Sequence, residues 1–258
     1  MLGLFDSGLG GLTVLRRVRE LLPKHDLLYF ADQAHVPYGE RTPAQLLALM
    51  RHNVAWLDQA GVDAIVPACN TSCAMALEFG WPATRAPVVD LIESAAIAVE
   101  RSGLLRIGVL ATTATARSGA YRRRILERVP FAQVVEVGAP ALAPLVEAGK
   151  LHGAEPAQAV AQACAGLRDV DAVVLGCTHY PLLSAHFEAY FGPYVHLIDP
   201  AAVQASRTAE LVASLGISAG EGRVQCVTNG DLERFASNIE ALAADLTAAV
   251  RYLEPVSG

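Results

Sequence analysis

The sequence predicts an α/β protein made of two pseudo-symmetric α/β domains with largely parallel sheets and the active site in the cleft between them. Two observations carry this. Short continuous apolar runs alternate with helix-length segments along the chain, which is the pattern of parallel strands covered on both faces. The chain also says nearly the same thing twice: residues 62–71 read VDAIVPACNT and residues 170–179 read VDAVVLGCTH. Each stretch is an apolar strand that ends in a small residue and a cysteine, Ala68-Cys69 in one and Gly176-Cys177 in the other. A polar pair follows each cysteine, Asn70-Thr71 and Thr178-His179.

In chain order, the apolar runs LGLF (2–5), LLYFA (27–31), DAIVPA (63–68) and PVVDL (87–91) predict strands of the first half. RIGVLA (106–111), QVVEVG (133–138), DAVVLG (171–176) and VHLID (195–199) predict strands of the second, and RVQCVT (223–228) a late one. Helices are predicted over LTVLRRVREL (12–21), PAQLLALMRHNVAWLDQAG (43–61) and PAQAVAQACAGL (156–167), among others. The repeat extends beyond the cysteine strands. GLFDSGLGGLTVLRRV, from Gly3, has a counterpart in GVLATTATARSGAYRRRI, from Gly108. Both read as a strand, a polar turn and an amphipathic helix with basic residues. Ser7 lies 62 positions before Cys69 and Thr112 lies 65 before Cys177, so each half has a first strand ending in a hydroxyl turn and a later one ending in the cysteine. Ligands of open α/β sheets bind outside the carboxyl ends of the strands. Two such sheets facing each other bring both cysteines to one cleft. The expected division is 1–93 with 201–258 against 94–200, the C-terminal segment returning to the first domain.

The chain has 258 residues, 53% apolar and 18% charged, which suits an enzyme-sized globular protein and excludes a disordered or fibrous one. The net charge of −6 and the lack of a basic stripe give nucleic acid nothing to bind. Arg122-Arg123-Arg124 reads as a solvated helix face. No apolar run approaches the ~20 residues that span a bilayer. The N-terminal MLGLFDSGLGG lacks a basic segment, so no signal peptide or membrane association is expected, and the expected location is cytoplasmic. Five widely spaced cysteines, an odd number, do not form a disulfide framework. A homodimer is compatible with the sequence, and no residue pattern requires one.

The matched cysteines carry the chemistry. A thiol on each side of a substrate suits reversible proton transfer at one carbon, which is racemisation or epimerisation. Each precedes a helical segment, whose positive end favours the thiolate. Cys73, Cys164 and Cys226 are read as packing residues. A zinc site from Cys69, Cys73, Cys177 and His179 does not have the known short-motif spacings, so no metal is expected. Asp6-Ser7 precede a glycine turn whose helix start can offer N–H groups to a carboxylate. Asp6 reads either as a helix cap or as a carboxylate that helps a nearby thiol exchange its proton. GLGG is not the dinucleotide fingerprint, because Thr13 stands where its third glycine belongs. His179 reads as a proton partner of Cys177 or as a satisfied turn residue. Glu147, on a helix, reads as a surface residue from the sequence alone. Tyr38-Gly39 lie in a loop after a strand, where binding groups gather. Pyridoxal phosphate needs a Schiff-base lysine; Lys24 and Lys150 are the only lysines and neither ends an apolar strand. No GxxxxGK[ST] supports ATP use. No cofactor is expected.

At these residues the chain resembles the glutamate racemases of the cofactor-independent aspartate/glutamate racemase superfamily. The matching pieces are FDSGLGGLTV (5–14), VPYGER (36–41), ACNTS (68–72), SGAYR (118–122), LGCTHYPLL (175–183) and NGDLERF (229–235). They run through almost the whole chain. The resemblance implies two pseudo-symmetric domains, glutamate as the small-molecule substrate and D-glutamate supplied to peptidoglycan. It implies that Cys69 and Cys177 are the acid/bases, Asp6 assisting the first and His179, with Glu147, the second. Asp6, Ser7, Tyr38, Gly39, Asn70, Thr71, Thr178 and His179 would line the site and hold the substrate, with Thr112 and Thr115 as further lining hydroxyls. The chain departs from its relatives at Ala31-Asp32-Gln33, at Cys73 and at IESAA (92–96), none of which touches the two cysteines. Three rivals remain at this level: a racemase for another acidic amino acid such as aspartate, a non-catalytic protein that closes on a small anion, and an interaction role alongside catalysis, such as inhibition of another enzyme.

Overall fold

In the computed structural model, which describes residues 1–243, 246 and 248–252, the strands gather into two wholly parallel sheets. The first has the order β3 (Ala64–Pro67), β1 (Leu2–Asp6), β2 (Leu27–Ala31), β8 (Val224–Thr228) and β9 (Ala248–Tyr252). The second has the order β5 (Gln133–Gly138), β4 (Arg106–Ala111), β6 (Ala172–Gly176) and β7 (His196–Ile198). Both cores share one arrangement, in which the cysteine-bearing strand lies beside the first strand and the first beside the second. The predicted α/β class and internal repeat are therefore what the chain folds into.

Two predicted strands come out differently. PVVDL makes only a bridge, Val88 against Ile65, flanked by Val89 N–H to the Ile65 carbonyl at 2.9 Å. It occupies the place beside β3 that β7 occupies beside β6. An aspartate follows each, and its carboxylate caps a helix: Asp90 accepts from Glu93 N–H and Asp199 from Ala201 N–H. The repeat thus continues past the cysteines. β9, which follows the Leu232–Leu242 helix, adds a strand beyond those the sequence predicts and pairs in parallel with β8.

Burial explains the composition of the strands. β1, β2, β3 and β6 are buried at every residue, because helices cover both faces of each sheet. Leu4, Leu15, Tyr29 and Val66 of the first sheet's layer share one core with Ile92, Val109 and Val174, so the sheets are joined through packed helices rather than a loose linker. On the outer face of the first sheet, Phe5 and Phe30 pack under Val54 and Leu57 of the Pro43–Gln59 helix. That helix starts with a capping box from Thr42 and Gln45, a device worth ~1 kcal/mol. β5 is an edge strand with a half-exposed face, Val135 included; its continuous apolar run does not mean burial on both sides. Arg124 meets Glu93 and Glu127 on its helix surface, as a solvated face does. No helix among the described residues is long and apolar enough to cross a membrane.

Candidate active site

Strand register brings the site together. Phe5 pairs with Pro67, so Asp6-Ser7 and Cys69 leave the first sheet side by side. Ala111 pairs with Gly176, so Thr112 and Cys177 leave the second sheet in the same way. The four carboxyl ends surround a cavity of about 240 Å³ that both cysteines line. This is below the ~300–1,000 Å³ of drug-sized sites and suits a molecule the size of an amino acid. Asp6, Ser7, Tyr38, Gly39, Asn70 and Thr71 line it from the first sheet, with Thr112, Glu147, Thr178 and His179 from the second.

The two thiols have different surroundings. Cys177 Sγ lies 3.6 Å from His179 Nδ1. The other ring nitrogen, Nε2, lies 2.6 Å from Glu147 Oε1, and the same oxygen accepts from Leu9 N–H at 2.9 Å. Glu147 is therefore no surface residue, as its helix alone suggested. Its helix is short, Leu142–Glu147, and ends over the cavity. Burial by itself lowers the His179 pKa, but the Cys177 charge and then Glu147 outweigh it and hold the imidazole well above its ordinary value. Burial likewise favours a neutral Glu147, and its hydrogen bond and charge contact with His179 reverse that and lower its pKa. Both shifts favour the charged forms, imidazolium on His179 and carboxylate on Glu147.

The residue two places after Cys69, in the position that His179 has after Cys177, is Thr71. Cys69 is the N-cap of the Asn70–Phe79 helix. Ser72, in the first turn, favours the thiolate through its hydroxyl and N–H, but burial first and the Asp6 charge second push the thiol well above its ordinary value. The helix-end argument fails for Cys69 because the thiol is almost wholly enclosed. Cys177 is followed by a tight 3-10 turn, Tyr180–Leu183, before the α-helix begins.

Asp6 lines the cavity and holds the start of the next helix through the Gly11 N–H. Its Oδ2 accepts from Gly11 N–H at 2.7 Å and from the Thr178 hydroxyl at 3.5 Å. The loop amide predicted to meet a ligand carboxylate thus meets the chain's own. The glycines serve close approach: a Cβ at Gly10 would stand 2.5 Å from His179 Nδ1, and one at Gly8 would collide with Glu147 Oε1. Burial pushes the Asp6 carboxyl up, against His179 and the Gly11 N–H. The folded protein therefore binds this proton more tightly than the unfolded chain, and stability falls as pH rises through and above the ordinary value near 3.8. Asp6→Asn removes that penalty. Thermal melts are expected to show the variant a few degrees more stable than wild type at about pH 7.5, the gap closing towards about pH 4. An unchanged or lower midpoint at neutral pH would mean that the carboxylate is already fully compensated.

The remaining predicted residues fall into two tiers. Thr71, Thr112 and Thr115 form a hydroxyl triangle of 3.0–3.2 Å sides that ties the halves together. Thr115 stands behind the cavity wall and supports the other two. Asn70 Oδ1 accepts from the buried Tyr121 hydroxyl of the opposite half. The Tyr38 hydroxyl donates to Asp32 and accepts from Asn53 at 3.0 Å, so Tyr38 offers the cavity its ring and backbone. Asp32, wholly buried, also takes Asn229 Nδ2 at 2.5 Å. Neither Asp32 nor Arg234, which lines the cavity, was singled out in the sequence. Each lies within or beside a motif already noted, which was the available signal. Cys73, Cys164 and Cys226 are buried among packing residues, and Cys73 also bonds to Asp90.

The model of the family described as Asp/Glu/Hydantoin racemase matches residues 11–208. A glutamate racemase of Gloeobacter violaceus is 44% identical over 241 residues, which cover 92% of this chain and 89% of the relative. Among solved structures, a glutamate racemase isoform from Bacillus anthracis superposes with a TM-score of 0.92 at 30% identity, over 98% of this chain and 97% of that one. The glutamate racemase of Francisella tularensis, solved in complex with D-glutamate, does so with a TM-score of 0.87 at 28% identity, over 99% and 97%.

Proposed function

We propose that this chain, which belongs to the Asp/Glu/Hydantoin racemase family, interconverts L-glutamate and D-glutamate by a two-base 1,1-proton transfer without a cofactor. The observation that carries the reading is the pair of cysteines at matching strand ends of two facing sheets, lining one small cavity. Glutamate, rather than aspartate, is supported by the relatives of known structure and sequence.

In the proposed cycle one cysteine, as thiolate, removes the α-proton from one face. The other, as thiol, delivers a proton to the opposite face, and the roles exchange for the reverse direction. Geometry supports Cys177 as the thiol that exchanges its proton beside His179, with Glu147 fixing the ring. Cys69, pushed up by its burial, holds its proton. Asp6, beside the first thiol and bonded to Thr178, would assist Cys69. The α-carbon of an amino acid is a very weak acid, so charge developing on the substrate carboxylate must be met by fixed donors. Ser7, Asn70, Thr71, Thr112 and Thr178, with the backbone at Tyr38-Gly39, are the donors at hand in the cavity. The enclosed cleft strengthens each of them.

We further propose residues 1–93 with 201–258 as one domain and 94–200 as the other. The pairing of β8 and β9 onto the first sheet supports this division. A cytoplasmic setting and supply of D-glutamate to peptidoglycan follow from the family likeness, and a homodimer is compatible with it. The test is deuterium wash-in at the α-carbon, with no added cofactor, from L-glutamate, D-glutamate and both aspartates. Exchange and racemisation of glutamate are expected. Exchange with aspartate alone would move the chain to a sister activity, and exchange with neither would favour the anion-binding reading.

A further inference from the structure

The electrostatics of the cavity leave one group unaccounted for by proton transfer. Glutamate carries two carboxylates and one ammonium, so it enters as an anion. The chain it approaches has a net charge of −6, and two of the groups that line the cavity are Asp6 and Glu147. The His179 charge is already taken up, by Glu147 at 2.6 Å and by the Cys177 sulfur at 3.6 Å. Among the described residues, Arg234 is the one lining side chain with a permanent positive charge.

Arg234 is also held from both sides. It lies in the first turn of the Leu232–Leu242 helix, where its N–H donates to the Asp231 cap at 3.0 Å. The turn before that helix is pinned by Asn229, which accepts from Ala34 N–H at 2.9 Å and donates to Asp32. From this base the exposed side chain reaches across the cleft. Its Nη2 donates to the Glu147 carbonyl at 2.8 Å. The guanidinium is thus placed at the rim of the cavity, partly in solvent, between the helix that follows β8 and the one that carries Glu147.

We propose that Arg234 is the cation that draws the dicarboxylate substrate into the cleft and sets its charge requirement. This rests on the substrate proposed above. A rim cation facing solvent acts through Coulomb attraction that salt screens within about 10 Å at 0.1 M. It acts on capture of the substrate and is not needed for the proton transfers themselves. A purely structural strap would do the opposite: its loss would disturb Glu147 and His179, lower kcat and leave the salt dependence alone.

The experiment compares wild type, Arg234→Gln and Arg234→Lys. Racemisation of both enantiomers is followed over a range of ionic strength, and binding of glutarate by calorimetry over the same range. For Arg234→Gln we expect KM raised about fivefold for both enantiomers with kcat within about twofold. Its kcat/KM should lose most of the salt dependence of wild type, and glutarate should bind about fivefold more weakly. Arg234→Lys, which keeps the charge, should restore most of the KM and the salt dependence. Unchanged KM, glutarate affinity and salt dependence in Arg234→Gln would overturn the proposal. So would a fall in kcat alone, which would make Arg234 a strap. If wild type racemises no glutamate but binds glutarate in a manner that Arg234→Gln weakens, the reaction assignment fails while recruitment of dicarboxylates stands.

Discussion

Cys69→Ser and Cys177→Ser are each expected to reduce racemisation of glutamate by about 10²–10⁴-fold or more. A serine hydroxyl is a far weaker acid than a thiol, and it cannot serve as the base at neutral pH. Thermodynamics adds a strict condition. L- and D-glutamate have equal free energies in water, so kcat/KM for the two directions must be equal in wild type and in every variant. The asymmetry of the two thiols therefore cannot appear in that ratio. It appears in α-proton exchange. A variant that keeps one thiol can still exchange the proton of the enantiomer that presents its α-hydrogen to that thiol. Wash-in without racemisation, confined to opposite enantiomers in the two variants, is the expected pattern. Full racemisation by either variant would exclude the two-thiol scheme.

The second large effect concerns the imidazole. His179→Asn removes the charged neighbour 3.6 Å from the Cys177 sulfur and is expected to lower kcat about 10²-fold. Glu147→Gln acts through the same group. His179 is held well above its ordinary value against the pull of burial, with Glu147 among the groups that raise it. With the carboxylate gone, burial gains and the imidazole loses its proton at lower pH. The alkaline limb of the kcat profile should therefore move to lower pH in Glu147→Gln, while activity on its acid side is better preserved. A profile that keeps its alkaline limb, measured for both enantiomers, would mean that His179 does not carry the titration. The linkage to stability has the same origin and two signs. The raised His179 contributes most below its unfolded value near 6.5 and loses that contribution as pH rises through its folded value. The lowered Glu147 contributes above its unfolded value near 4.5 and loses it in acid.

The comparison of Cys69 with Cys177 shows where reading the sequence stops. Their equivalence as strand-end thiols was legible, because a strand tip followed by a helix is a local pattern repeated after about a hundred residues. Their inequality was legible only in part, in His179 two places after Cys177 where Thr71 follows Cys69. The rest comes from Glu147, far from both in the chain, and from Asp6 lying beside Cys69 across a strand pair. Glu147 read as a surface residue because a short helix of mixed composition gives no periodic sign of what stands over it. Asp32 gives no signal in the sequence for a similar reason. Its partners include His35, Tyr38 and Asn229, Tyr38 in turn accepts from Asn53, and a buried carboxylate network drawn from distant segments leaves no spacing to detect.

The glycines Gly8 and Gly10 make the same point. In the sequence they mark a sharp turn. In the fold they have a more specific duty, since any side chain there would strike Glu147 or His179 of the other half. Likewise, QVVEVG and AVVLG look alike as apolar runs, yet β5 lies at an edge and β6 is covered on both faces. Which run becomes central depends on strand order, a long-range property.

By itself, the sequence determined the α/β class, the internal duplication, the two thiols and most of the hydroxyl and amide groups at the strand ends. These follow from periodicity, composition and local motif, which act over ten or so residues. Only the tertiary structure decided the strand order of each sheet, the pairing of β9 on β8, and the burial of Glu147 against His179 that helps make the two thiols unlike. It also decided the place of Arg234 at the rim. Those are matters of burial and of Coulomb contact between residues distant in sequence, and such energies exist only once the two halves have closed on one another.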